Sequence, residues 1–120
     1  MKPSRIVLLM VSVLLAVVAA AEEERPPWLS EEVIAAAMAI ELTPEQMAPF
    51  RTSVTEFLES YRDQARKLVR RGAAGLEGQI DRLRKSLASD MDERMAAFLS
   101  EDQMVRYGDY RSALLDSLAQ

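Results

Sequence analysis

Six residues, Leu42-Thr43-Pro44-Glu45-Gln46-Met47, return 57 positions later as Leu99-Ser100-Glu101-Asp102-Gln103-Met104. Each copy reads as the opening of an α-helix. Thr43 and Ser100 are the N-caps, whose hydroxyls accept from a free backbone N–H. Gln46 and Gln103, three residues on, reach back to the cap's own N–H and complete a capping box. Leu42 with Met47, and Leu99 with Met104, occupy the N′ and N4 positions of a hydrophobic staple. Pro44 at N1 lacks an N–H where none is needed. Glu45, Glu101 and Asp102 place negative charge at the positive end of the helix dipole. Two helix origins are thereby set.

The stretch between them reads as a hairpin. Phe50, Val54, Phe57, Tyr61, Ala65 and Leu68 recur at helical spacing, widened by Leu58 and Val69, and predict a helix over 44–71. At 1.5 Å per residue it would be about 42 Å long. Pro49 removes a hydrogen bond to Glu45, so a kink or a loosened first turn is expected there. Arg66, Lys67, Arg70 and Arg71 suit the helix C-terminus, and Gly72 suits the position after it. Residues 72–78 hold three of the chain's four glycines, which marks them as the turn. Ile80, Leu83, Leu87, Met91, Met95 and Phe98 then predict a third helix over 79–98. Tyr107, Tyr110, Leu114, Leu115 and Leu118 predict a fourth over 101–118. Ser30 caps a first helix over 30–41, apolar on most faces (Val33, Ile34, Ala37, Met38, Ile40), which reads as a core or dimer-interface element. No segment reads as a strand. The expected fold is all-α, a long antiparallel helical hairpin with two flanking shorter helices. Its apolar stripes are broader than one hairpin partner would cover, so a homodimer is expected.

The first 21 residues have the layout of a secretory signal peptide. Lys2 and Arg5 precede an apolar run from Ile6, and Ala19-Ala20-Ala21 supplies small residues for cleavage. An uncleaved inner-membrane anchor is the alternative. Residues 22–29 read as a disordered leader, and 30–120 as the helical domain. Cleavage after Ala21 leaves 99 residues with a net charge of −6, which argues against a general nucleic-acid binder. There is no cysteine, so an exported domain this small must rely on helix packing or self-association. Histidine, the commonest general base and transition-metal ligand, is also absent.

No enzyme signature is present: no phosphate loop, no nucleophile elbow, no histidine and no cysteine. Asp90-Met91-Asp92-Glu93 is dense in carboxylates, but helix neighbours point apart, and solvated surface is the reading. Met91 and Met95 stand at i and i+4, a spacing that could offer two thioethers to Cu(I). Both fall on the apolar stripe and read as core. No metal site and no cofactor are assigned. The charge pattern is more informative. Residues 62–85 carry a local +5, while the rest of the mature chain carries −11. Arg62, Arg66 and Arg70 line up beside Leu58 and Val69, an amphipathic face that could attract acidic or unfolded chains and hold them by apolar contact.

An exported all-helical chain with two L-T-x-x-Q motifs, Leu42-Thr43-Pro44-Glu45-Gln46 and Leu99-Ser100-Glu101-Asp102-Gln103, resembles the Spy/CpxP group of periplasmic proteins. Serine for threonine in the second copy keeps the cap chemistry. The resemblance covers about residues 30 to 118. It implies a long helical hairpin that dimerises into a curved cradle, and an ATP-independent chaperone that binds unfolded or misfolded envelope proteins. It equally implies, as alternatives, a regulator docking on the sensor domain of an envelope-stress histidine kinase, or a metal-responsive relative of the same fold. In the motif residues Leu42, Thr43, Gln46, Met47, Leu99, Ser100, Gln103 and Met104 the expected role is structural. The candidate client-binding residues are Leu58, Arg62, Arg66, Val69 and Arg70.

Overall fold

A computed structural model describes residues 26–72 and 74–119. The proposed signal segment and the start of the leader lie outside the described residues. Those described are all-helical and contain no strand. A 3₁₀ turn at Pro27–Leu29 is followed by α1 (Glu31–Ala39), α2 (Pro44–Arg71), α3 (Leu76–Ala96) and α4 (Glu101–Ala119). Among the described residues, no helix is long and apolar enough to cross a membrane.

The chain divides into two compact units. One combines the described residues up to Met47 with Leu99 onward; the other is Ala48–Phe98. In the first unit, α1 and the 3₁₀ turn pack against α4. Ser30 caps α1, its hydroxyl accepting from Val33 N–H at 3.4 Å. Leu29, Val33, Ala37, Ile40 and Leu42 are buried, as are Leu99, Tyr107, Tyr110 and Leu114. On α4 the buried row is Gln103, Tyr107, Tyr110, Leu114 and Ser117, alternating steps of four and three, the spacing of a helix that shows one face to a core. Burial pushes the Tyr110 phenol above its ordinary range. The leader is shorter than the sequence suggests. Pro27–Leu29 is folded rather than disordered, because Leu29 is buried where this turn meets α4.

In the second unit, α2 and α3 run antiparallel. Tyr61 Oη accepts from Arg84 Nη1 at 3.2 Å, and Glu56 faces Arg94 at 3.9 Å. Helix α2 continues unbroken through Pro49, whose carbonyl accepts from the Ser53 hydroxyl at 2.9 Å. The turn is tighter than expected. Gly72 and Gly75 take positive φ (60° and 70°), a conformation glycine enters without steric cost. Gln79 N–H then closes on the Gly75 carbonyl at 3.0 Å, and its side chain donates to the Ala74 carbonyl at 3.1 Å. Helix α3 therefore begins at Leu76, three residues before the predicted start, and Gly78 belongs to its first turn. Its C-terminus comes two residues early, at Ala96.

The core of this unit is confined to the part distant from the turn. Phe50, Phe57, Ala88, Met91 and Met95 are buried with Ser53. From Leu58 to Leu87 no described residue is buried. Leu68, Leu76, Ile80, Leu83 and Leu87 are only half-covered there. Met91 and Met95 are completely buried, a position that suits thioethers filling a core.

Candidate functional site

The two repeated motifs meet in the first unit. At the start of α4 the capping box is reciprocal: Gln103 N–H donates to Ser100 Oγ at 3.1 Å, and Ser100 N–H donates to Gln103 Oε1 at 3.0 Å. At the start of α2, Thr43 N–H donates to Gln46 Oε1 at 2.9 Å. The two glutamine amides then pair with each other. Gln46 Nε2 donates to Gln103 Oε1 at 2.9 Å, and Gln103 Nε2 donates to Gln46 Oε1 at 2.8 Å. The second N–H of Gln103 Nε2 donates to the Glu41 carbonyl at 3.2 Å. Both donors and both acceptor positions of the Gln103 amide are thus used, as its near-complete burial requires. Leu42 and Leu99 are buried beneath the two caps, and Met47 and Met104 are half-buried. This constellation binds helix ends to each other. Every functional atom of Gln103 is spent in this pairing, and Leu42 and Leu99 are buried.

The second candidate lies on α2. Leu58, Arg62, Arg66, Val69 and Arg70 follow one another at steps of four, four, three and one, so they share an arc of about 120° on the helix. Leu58 is half-buried at the edge of the arc nearest the core. Val69 is 57% exposed, an unusual state for a β-branched apolar residue in a helix. Arg62, Arg66 and Arg70 are exposed, and among the described residues no carboxylate lies within ion-pair distance of them. Their aliphatic stems can lie along the half-covered stripe while their guanidinium groups remain in water. On α3 the cations Arg84 and Lys85 are instead paired. Asp81 bonds Arg84 and Lys85, both at 3.0 Å. The Lys85 hydrogen bond is the main cause holding the Asp81 carboxyl below its ordinary value, with the positive charges of Lys85 and Arg84 adding to it.

Sequence reasoning missed three features. Val105 on α4 is 74% exposed, with Glu101, Asp102 and Asp109 exposed on the same helix. Its absence from the predicted apolar set was the available signal. Gln103 and Ser117 are buried polar residues, visible only as continuations of the heptad spacing of Tyr107, Tyr110 and Leu114. Glu41 has φ of 59°, and no sequence signal marks it for the left-handed region.

No protein-family model matches the sequence, and neither a curated protein nor a solved structure matches it.

Proposed function

We propose that this protein is an ATP-independent, chaperone-like member of the Spy/CpxP group. In this reading it works in the periplasm and holds unfolded or misfolded envelope proteins. The carrying observation is the face formed by Leu58, Arg62, Arg66, Val69 and Arg70. Three exposed cations without carboxylate partners flank an exposed valine, on a helical hairpin whose stripe is half-covered from Leu58 to Leu87. Such a face captures by two weak forces. Long-range charge speeds encounter with acidic segments, and short apolar contacts slow release. Neither is specific to sequence, and neither calls for a nucleotide. A half-covered stripe also suits a homodimer in which a second copy covers part of it.

The test is suppression of aggregation. The purified protein, added at stoichiometric levels to a chemically denatured client, is expected to hold down light scattering on dilution. Val69→Ser combined with Arg62→Gln and Arg66→Gln is expected to lose most of that effect while remaining helical. No suppression by the wild type at several-fold excess overturns the reading. Saturable binding to one sensor-kinase domain, without client suppression, would place the protein with the regulators instead.

A further inference from the structure

The client-binding row leaves one group of cations unused. Lys67 and Arg71 lie about 160° round α2 from Val69, on its far side. Both are exposed, as is Arg82 on α3. The guanidinium of Arg82 folds back along the first turn of α3: its Nη1 lies 3.6 Å from where a Cβ on Gly78 would stand. Among the described residues none of the three has a carboxylate within ion-pair distance. Nearby Asp81 is already held by Arg84 and Lys85, which leaves Glu77 as the one exposed acid of the turn region.

The hairpin turn itself is bare. Nothing lies within 4 Å of the Cβ positions of Gly72 or Gly75. Helix α3 begins at Leu76, and its N-cap Gly75 supplies no side-chain cap, so the positive end of its dipole adds to the field of the cations. Cations therefore stand on both helices around a tip where nothing crowds Gly72 or Gly75.

We infer that this tip, through Lys67, Arg71 and Arg82, docks on an anionic phospholipid surface. A linear polypeptide would engage one row of one helix, and the Leu58–Arg70 row already serves that geometry. A plane of phosphates can meet cations on both sides of the tip together. The charge balance of the chain orients the contact, since the mature sequence outside 62–85 carries −11 and is repelled by the same surface. The apolar run from Ile6 to Ala21, read from the sequence as a signal segment, would bring the chain to a membrane during export. The docking surface faces away from the client-binding face, since Lys67 and Arg71 lie about 160° round α2 from Val69, while Arg66 and Arg70 adjoin them along the chain.

The experiment is co-sedimentation of the mature chain, residues 22–120, with phosphatidylcholine vesicles, with and without phosphatidylglycerol. Binding is expected only with phosphatidylglycerol, and added salt should abolish it. Arg71→Gln with Arg82→Gln should weaken binding roughly 25-fold, on the basis of roughly 5-fold per cation near an anionic surface. Lys67→Gln alone should weaken it roughly 5-fold, and it serves as the second variant if the double variant is not helical. Leu58→Ser with Arg62→Gln should leave vesicle binding unchanged while impairing client suppression, so the two faces fail independently. Equal binding to neutral vesicles overturns the inference, as does insensitivity to these cations. Binding of soluble polyglutamate but not of anionic vesicles would assign the tip to acidic polypeptides and overturn it equally.

Discussion

The side-chain amides of Gln46 and Gln103 hydrogen-bond to each other twice, at 2.8 and 2.9 Å, across 57 residues of chain. Each amide oxygen also accepts the N–H of its own helix cap, Thr43 or Ser100. One amide ring therefore completes the capping box of α4, holds the Thr43 N–H ahead of α2, and ties the first turn of α2 to the first turn of α4. Gln103→Ala would strand the Ser100 N–H, the Glu41 carbonyl and the Gln46 amide together. An unsatisfied buried polar group costs about 1–3 kcal/mol, so the loss is expected to be about 2–4 kcal/mol in denaturant unfolding. Gln46→Ala should cost less. The double variant should lose less than the sum, with a coupling of about 1 kcal/mol or more. Additive losses would show that the ring is not a unit.

Glu41 pays for the turn between α1 and α2 with a left-handed backbone, φ 59°. Its carboxylate is 72% exposed and only 3.8 Å from Arg106, a surface pair of little energetic weight. Glu41→Gly is therefore expected to stabilise the protein, by about 1 kcal/mol, because glycine enters this region without the Cβ clash. The thermal midpoint should rise. A fall would mean that the Arg106 pair outweighs the backbone strain.

Met91 and Met95 are fully buried on α3. Met91→Ala should destabilise by about 2–5 kcal/mol, the range for emptying a core position. Met91→Leu with Met95→Leu keeps the volume and should cost less than about 1.5 kcal/mol per site. Titration with Cu(I) should give the same result for the wild type and the double leucine variant. Copper binding lost specifically in that variant would overturn the core assignment.

The Asp81 carboxyl titrates below its ordinary value because Lys85, and after it Arg84, favour the charged form. A depressed folded-state value stabilises the folded chain at pH above the ordinary carboxylate value. That contribution is lost as pH falls through the folded-state value. NMR titration should place Asp81 below the ordinary aspartate value. In Lys85→Gln it should move upward, toward the ordinary aspartate value. No movement would show that the lysine hydrogen bond is not the cause.

The helix starts at Pro44 and Glu101 were legible because a capping box acts within four residues and needs no partner from elsewhere. Periodicity likewise marked Phe57, Met91 and Tyr107 as inward-facing. The glycines marked the turn, though not its length: Gly78 looked like part of the break, yet a helix tolerates it once Gly75 has started α3. The row Leu58–Arg70 was legible as spacing, since one helix places these residues on one side whatever surrounds it.

What the sequence by itself determined was therefore local: four helices, their origins, their apolar faces and a glycine turn. Only the tertiary structure decided that Gln46 and Gln103 face each other, that Glu41 bends left-handed beneath Gln103, and that burial stops at Phe57 and resumes at Ala88. The physical reason is range. Caps and helical spacing are settled by neighbours along the chain. Amide pairing and burial depend on which distant surface arrives, and that choice belongs to packing.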